Sequence, residues 1–299
     1  MHTYRNPVLP GFHPDPAVEK AGDDYYLVTS SFQWFPGIPI YTSRDLVHWR
    51  PVGYALTRDS QLDLRDVGDS LGIWAPDIRF IGGVFYIAYT DMRRYNKHDR
   101  RDRAIENKLV SAADPAGPWS DPVVINRGGI DPSIFRDDDG RTYWINQIYG
   151  PDTISKGIEC GEIDLPGKRL IEEPRLLWPG SGAGYTEGPH LYKRDGWYYL
   201  LTAEGGTLHN HQCSIARSRD LWGPYEAMPG VSILTMRDTW RETGISRSGH
   251  GDFIEVEDDL RHIAFLAARP YGPRDCANLG RETFLLPVEW TCDGWPVVN

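Results

Sequence analysis

Three carboxyl residues stand at wide intervals along the chain, and each is followed by a proline or a glycine: Asp15, Asp131 and Glu187. Two separated carboxyl groups with different pKa values are the minimal equipment for cleaving a glycosidic bond, because one must donate a proton to the leaving oxygen while the other, ionised, activates water. A third carboxylate nearby raises the pKa of the acid, since like charge disfavours ionisation. The three residues therefore predict acid–base hydrolysis of a sugar linkage.

The three acids belong to a set of five similar segments, in each of which a polar residue stands where a turn leads into a strand. The polar residues are Asp15, Asp77, Asp131, Glu187 and His250, which recur roughly every 60 residues. By itself Asp77 is more typical of a turn, because Pro-Asp pairs are common in turns. Glu187 is harder to explain in that way, since glutamate is disfavoured beside a strand, and its position favours a functional role.

Each segment is followed by a turn and a second strand that is rich in β-branched and aromatic residues. These strands are predicted at 24–30, 84–90, 141–146, 197–202 and 262–267. A third strand often follows and ends in an aromatic residue, as at Trp49, Trp119 and Trp222. Such units are typical of propeller blades, so we expect an all-β fold, a five-bladed β-propeller, as a single domain over residues 1–299; a β-sandwich is the alternative. The innermost strands of a propeller line its axis, so we expect the five polar residues to share one pocket.

The overall composition excludes some classes of protein. The chain of 299 residues carries a formal net charge of −10, which argues against nucleic-acid binding. No stretch approaches the roughly 18 apolar residues that cross a membrane, and residues 1–7 lack the apolar core of a signal peptide, so we expect a cytoplasmic protein.

The cysteines, at positions 160, 213, 276 and 292, form no Cys-x-x-Cys pair and are interpreted as reduced thiols rather than a disulfide or zinc framework. The mixed-charge run 93–103 is interpreted as a solvated loop.

Several stretches together resemble glycoside hydrolase family 43, and within it the β-xylosidase/α-L-arabinofuranosidase group. They include Asn6-Pro-Val-Leu-Pro-Gly-Phe-His-Pro-Asp15-Pro16, Ile73-Trp74-Ala-Pro-Asp77, Asp131-Pro-Ser133, Tyr185-Thr-Glu187-Gly-Pro-His190, Thr202-Ala-Glu-Gly-Gly-Thr207 and Gly280-Arg281-Glu282-Thr283. The resemblance covers nearly the whole chain and implies a five-bladed fold and hydrolysis with inversion at the anomeric carbon. It implies that Asp15 is the general base, that Glu187 is the general acid, and that Asp131 tunes the pKa of the acid and orients the sugar.

The same resemblance implies a set of substrate-binding residues. Phe32 and Trp74 match aromatic residues that wall the subsite of the terminal sugar, and ordinary core is the alternative for both. Arg281 matches an arginine near the carboxylates, with an exposed strand charge as the alternative, and Thr207 lies in a matching stretch. His250 matches an axial histidine that helps to hold a central ion or water in some members, so calcium or another ion near it stays open. No cofactor is expected to be required, and no metal ligand is assigned.

Two departures from the family pattern leave points open. Close relatives continue into a β-sandwich domain that closes one side of the pocket, whereas this chain ends at Asn299, so we expect either a single-domain member or a shortened chain. The oligomeric state therefore stays open. Ile130 stands where some β-xylosidases have a bulkier aromatic residue, which leaves both xylose and arabinose as candidate sugars.

We therefore expect an inverting, exo-acting glycosidase that releases terminal β-1,4-xylose, α-L-arabinofuranose or both. Its partner would be a small xylo- or arabino-oligosaccharide. Three alternatives stay open: a retaining enzyme acting on fructosides, whose Asn-Asp-Pro context is absent here, a carbohydrate-binding propeller without catalysis, and a protein-interaction scaffold.

Overall fold

The strands of the protein form five antiparallel sheets, which we call blades 1 to 5. A computed structural model describes residues 3–95, 103–150, 155–230, 232–272 and 276–298. Blade 1 contains β1 (Ala17–Ala21), β2 (Asp24–Val28), β3 (Gly37–Ser43) and β4 (Arg50–Leu56), and blade 2 contains β5 (Gly72–Ile81), β6 (Val84–Tyr95), β7 (Arg103–Ala112) and β8 (Val123–Arg127). Blade 3 contains β9 (Gly129–Arg136), β10 (Thr142–Tyr149), β11 (Ser155–Asp164), β12 (Arg169–Leu170) and β13 (Arg175–Trp178). Blade 4 contains β14 (Glu187–Arg194), β15 (Trp197–Glu204), β16 (Gln212–Ser218), β17 (Glu226–Ala227) and β18 (Leu234–Thr235); after the short helix α1 (Trp240–Thr243), blade 5 contains β19 (Ser246–Val256), β20 (Asp259–Ala268), β21 (Glu282–Trp290) and β22 (Pro296–Val298).

The five blades form a closed ring around one axis. In every blade the first three strands are hydrogen-bonded in chain order. The first strands, β1, β5, β9, β14 and β19, contact one another in this order, and β19 contacts β1 to close the ring. At the closure the backbone of Leu9 pairs with that of Thr283 in β21, so the N-terminal segment joins blade 5 to blade 1. The predicted all-β, five-bladed β-propeller is confirmed.

The hydrophobic core is divided among clusters that lie between neighbouring blades. Because successive side chains of a strand point to opposite faces, each middle strand contributes to two clusters. In β10, Trp144 packs towards blade 2, whereas Tyr143 and Ile145 pack towards blade 4. In β15, Leu200 packs towards blade 3 and Leu201 towards blade 5. Burial of both faces explains why these second strands read as nearly continuous apolar runs.

The inner strand of each blade has a residue with a left-handed backbone conformation at or near its start. These residues are Asp15 (φ 55°), Ala75 (φ 34°), Asp131 (φ 56°), Gly188 (φ 54°) and His250 (φ 49°). A proline follows four of them, and the pairing with the second strand is interrupted there in blades 2 to 5. Such a bulge changes the direction in which the next side chains point, and here it repeats at the axis.

The repeated backbone conformation corrects the predicted set of five equivalent polar residues. Ala75, and not Asp77, is the counterpart of Asp15 in blade 2. Asp77 lies two residues further along β5, is buried, and forms an ion pair with Arg79 at 2.9 Å, so it is not a turn residue either. Glu187 stands one position before its bulge residue, Gly188. The prediction was wrong at Asp77 because the feature that repeats is the backbone angle, not the side-chain type.

Three smaller predictions concern the cysteines, the charged run and membrane spans. All four cysteines are free thiols. Residues 96–102 of the charged run lie outside the described residues; Arg93 and Arg103, at its ends, belong to β6 and β7 rather than to a loop. Among the described residues no helix is long and apolar enough to cross a membrane.

Candidate active site

One cavity of about 1120 Å³ opens at the end of the axis near which the inner strands begin. It is lined by all eight residues that the sequence analysis singled out: Asp15, Phe32, Trp74, Asp131, Glu187, Thr207, His250 and Arg281. The eight come from all five blades, so closure of the propeller is what brings them together. This arrangement gathers three carboxyl groups, an arginine, a histidine and two aromatic rings around one space.

Asp15 is held as a carboxylate by its neighbours. The Ser30 hydroxyl donates to Oδ2 of Asp15 at 2.5 Å, Nη1 of Arg281 lies 3.3 Å from Oδ1, and Nδ1 of His250 lies 3.6 Å from Oδ1. Burial alone raises the pKa of Asp15, but the charges of Arg281 and His250 and the Ser30 hydrogen bond outweigh it, so the pKa is lowered. An ionised carboxylate is what a base that accepts a proton from water requires.

The pKa of Glu187 is shifted in the opposite direction from that of Asp15. It begins β14, opposite Ala203 of β15, and is only partly buried because it borders the cavity. Burial, followed by the charge of Asp15, raises the pKa of Glu187 to about 7, against the opposing charge of Arg281. The carboxyl group therefore keeps its proton up to neutral pH, as a general acid must.

Asp131, in blade 3, faces the same cavity as Asp15 and Glu187. Burial, then the charges of Glu187 and Asp15, raise the pKa of Asp131 well above its usual value. Its Oδ2 accepts the backbone N–H of Gly188 at 3.0 Å, and its own N–H donates to Thr90 Oγ1 at 2.9 Å. Because Gly188 follows Glu187, this hydrogen bond ties the carboxyl group of blade 3 to the start of β14.

Two aromatic rings form one wall of the cavity. The rings of Phe32 and Trp74 have centroids 6.2 Å apart and are tilted by 50°. Their backbones are held together because Phe32 pairs with Ile73 through two hydrogen bonds, of 2.8 and 3.0 Å. Gly72 makes this approach feasible: a Cβ there would lie 2.2 Å from the Phe32 carbonyl oxygen. These backbone contacts therefore hold the two rings next to each other, and such flat apolar faces with polar edges suit sugar rings.

The remaining predicted residues complete the lining. The guanidinium of Arg281 lies over the Phe32 ring, 5.4 Å from its centroid, in addition to its contact with Asp15. His250 is buried, and burial lowers its pKa although the charge of Asp15 opposes the change. Thr207 is exposed at the rim, in the loop after β15.

A second group of polar residues occupies the axis one layer deeper. Ligand atoms of Asp77, His190 and Asp252 lie within 4.8 Å of one another, which is a spacing suited to a metal ion. However, the Arg79 guanidinium lies 2.9 Å from Oδ1 of Asp77, 3.1 Å from Nδ1 of His190 and 3.6 Å from Oδ1 of Asp252. A cation is therefore already present at this point as a side chain, so these residues do not fit a metal ion, and His250 is not part of the group.

Several lining residues were not singled out from the sequence. Ser30 was missed although a serine pair follows a strand directly at a point where the chain approaches the axis. The exposed aromatic rim, with Trp34, Phe35 and Tyr54, was also missed. Its signal in the sequence is the aromatic pair in a segment rich in proline and glycine, which is unusual for a solvated loop.

Comparison with known proteins gives one family over almost the whole chain. The model of "Glycosyl hydrolases family 43" matches residues 4–296. The chain is 44% identical over 302 residues to "Xylosidase/arabinosidase 43B" of Humicola insolens, a match that covers 100% of this chain and 55% of that protein. It is 40% identical to "Xylan 1,3-beta-xylosidase" of a Vibrio species, covering 99% of this chain and 57% of that protein. The chain thus spans about half the length of the curated relatives it matches.

A solved structure agrees in backbone as well as in sequence. The xylan β-1,4-xylosidase from Bacillus halodurans superposes with a TM-score of 0.93 at 42% identity, over 99% of this chain and 56% of that chain. The similarity therefore extends to the complete ring of blades.

Proposed function

The chain belongs to glycosyl hydrolases family 43, and from that premise we propose that it is an inverting, exo-acting glycosidase that releases a terminal pentose from xylo- or arabino-oligosaccharides. The observation that carries the proposal is that two carboxyl groups in one cavity have pKa values shifted in opposite directions. The pKa of Asp15 is lowered, whereas the pKa of Glu187 is raised to about 7. Titratable groups whose surroundings drive their pKa values apart are the mark of an acid–base pair.

In the proposed reaction the terminal sugar lies between the two carboxyl groups. Glu187 donates its proton to the bridging oxygen as that oxygen leaves with the rest of the chain. Asp15 accepts a proton from a water molecule that attacks the anomeric carbon from the opposite face, through a transition state that resembles an oxocarbenium ion. The configuration inverts, and a separation of about 6.5–9.5 Å between the two carboxyl groups is expected for this geometry.

The other lining residues take supporting roles in this proposal. Asp131 fixes the backbone N–H of Gly188 and so helps to hold the residue before it, Glu187. Phe32 and Trp74 wall the sugar, Arg281 keeps Asp15 ionised, and Thr207 and His250 hydrogen-bond to sugar hydroxyls. Both β-1,4-linked xylose and α-L-arabinofuranose stay in the proposal, since the similar proteins carry both names.

The reaction needs no cofactor, because both proton transfers run through carboxyl groups. An ion beside His250 stays a prediction, and the Asp77 group lends it no support because Arg79 supplies the charge there. The oligosaccharide partner and a cytoplasmic location are also parts of the proposal. The location draws its support from the four free thiols.

The test is hydrolysis of matched aryl β-D-xylopyranosides and aryl α-L-arabinofuranosides, with the first-formed sugar anomer followed by NMR. The proposal expects cleavage of at least one series with inversion. Retention would favour the alternative of a nucleophilic carboxylate. Binding of the pentose without any cleavage would favour the carbohydrate-binding propeller.

A further inference from the structure

A fourth carboxyl group, which has no part in the proposed reaction, lies directly behind the acid. Glu204 ends β15 and is fully buried. Its Oε1 accepts the Thr186 hydroxyl at 2.8 Å and the Ser181 N–H at 2.8 Å, and its Oε2 accepts the Ser181 hydroxyl. Two hydroxyls and one backbone N–H therefore surround this buried carboxyl group.

Among the described residues, the side-chain hydrogen bonds of Glu204 all go to the segment that leads into Glu187. Thr186 directly precedes the acid, and its carbonyl accepts the Ser155 hydroxyl at 2.7 Å. The N–H of Gly205 also donates to the carbonyl of Gly184 at 2.7 Å. The segment is packed closely enough that a Cβ on Gly180 would lie 2.1 Å from Thr186 Oγ1.

The two carboxyl groups of the proposed acid–base pair are held in different ways. Asp15 receives a direct hydrogen bond from Ser30. By contrast, no described residue forms a hydrogen bond with the Glu187 carboxyl group. Its pKa is set by burial and by the charges of Asp15 and Arg281. Its placement therefore depends on the backbone that carries it, and that backbone is fixed at Thr186.

We propose that Glu204 is a positioning residue for the general acid, and that it acts through the Thr186 hydroxyl to hold the first residue of β14 where its carboxyl group meets the leaving oxygen. The proposal rests on the proposed function, since it takes Glu187 as the acid. A fully buried carboxyl group is costly for a fold to maintain, and orientation of the acid accounts for its presence. If Glu204 only stabilised a loop, the acid would gain no specific benefit from it.

The experiment compares three variants of matched size. Glu204→Gln places an NH₂ group beside groups that donate hydrogen bonds to the carboxyl group, and Thr186→Val removes the connecting hydroxyl while the Glu204 carboxyl group stays. Ser181→Ala is the control, because it removes a hydrogen bond to Glu204 but leaves the Thr186 bond intact. Each is measured for kcat and KM on aryl glycosides of the sugar that the unmodified protein cleaves, with leaving groups from 2,4-dinitrophenol to phenol.

We expect Glu204→Gln and Thr186→Val to lower kcat about tenfold on the phenyl glycoside and less than about twofold on the dinitrophenyl glycoside, because only a poor leaving group needs the proton. KM should stay unchanged, and Ser181→Ala should stay within about twofold on both. An equal loss across all leaving groups, no loss at all, or the same loss in Ser181→Ala and Thr186→Val would overturn the proposal and leave Glu204 as a loop anchor.

A second measurement separates this proposal from the proposed function. If the unmodified protein cleaves no glycoside, the proposed function is wrong, and ¹³C NMR titration of the Glu187 carboxyl still tests the positioning role. Thr186→Val should then lower the pKa of Glu187 towards its ordinary value, since a displaced side chain gains water, and Ser181→Ala should not. An unchanged titration in both variants would overturn the positioning role.

Discussion

The Ser30 hydroxyl lies 2.5 Å from Oδ2 of Asp15 and at the same time accepts the backbone N–H of Ala75 at 2.6 Å. Since the Ala75 N–H occupies a lone pair of the Ser30 oxygen, the hydroxyl hydrogen is directed at the carboxylate. One serine of blade 1 thus connects the proposed base to the bulge of blade 2.

Ser30→Ala is expected to lower kcat about tenfold, because a hydrogen bond to the ionised form of Asp15 is lost. Such a bond lowers the pKa of a carboxyl group, so its loss should raise the pKa of Asp15 and move the acidic limb of the kcat/KM profile to higher pH. Ser43→Ala removes a buried hydroxyl of the same blade that bonds to Asp45 instead. It is the control, and an unmoved acidic limb in Ser30→Ala would contradict the role of Ser30.

The two limbs of the kcat/KM profile of the unmodified protein should lie on either side of the ordinary pKa values of carboxyl groups. Because the acid must be protonated and the pKa of Glu187 is about 7, kcat/KM should fall as the pH rises through about 7. The pKa of Asp15 is lowered, so the acidic limb should lie below the ordinary value of 3.8. Initial rates on one aryl glycoside across pH 3 to 9, corrected for stability, provide the measurement.

Asp131 should tolerate an amide better than a truncation. The carbonyl of an asparagine can still accept the Gly188 N–H, whereas Asp131→Ala leaves that buried donor without a partner. An unsatisfied buried donor costs about 1–3 kcal/mol, so Asp131→Ala should lose roughly tenfold more kcat than Asp131→Asn on a phenyl glycoside. Equal activities of the two variants would show that the hydrogen bond to Gly188 does not matter for catalysis.

The axial group around Arg79 should make stability depend on pH. Glu19 lies 3.5 Å from the Arg79 guanidinium, but burial outweighs this attraction and raises the pKa of Glu19 from 4.5 to about 7. A carboxyl group with a raised folded-state pKa costs stability as the pH rises from its unfolded value to its folded value. The free energy of unfolding of the unmodified protein should fall between pH 4.5 and pH 7. We expect this fall to be about 1–2 kcal/mol smaller in Glu19→Gln.

Urea unfolding of both proteins at pH 4.5 and pH 7 measures this difference directly. Lys20→Gln, which changes the next residue of the same strand, is the control. A pH dependence that is identical in Glu19→Gln and the unmodified protein would contradict the assignment.

The sequence was informative about the fold because the hairpins repeat. Strands such as β6 and β15 carry apolar residues on both faces, so they are recognisable without knowledge of the tertiary structure. Asp15, Asp131 and Glu187 were predictable because each stands next to a proline or glycine at a repeated bend. Their convergence followed from the topology of a propeller once five repeats were counted.

Other features depended on contacts that a sequence does not display. Asp77 resembled Asp15 in its neighbours, but its backbone conformation and its contact with Arg79 place it a layer deeper. Ser30 contacts the backbone of Ala75, and Glu204 contacts Ser181 and Thr186. These partners lie far away in the sequence, so the strand ends themselves do not indicate the contacts. No pattern in the sequence indicates that the Arg79 guanidinium lies beside Asp77, His190 and Asp252 on the axis.

The assignment of Glu187 as proton donor is tested most directly by the dependence of Glu187→Ala on the leaving group. The measurement is kcat/KM of the variant and the unmodified protein on aryl glycosides whose phenols span a wide range of pKa. Loss of a general acid costs roughly 10²–10⁴-fold where the proton is needed, so the variant should lose this much with phenol and very little with 2,4-dinitrophenol. The same loss with every leaving group would show that Glu187 does not donate the proton.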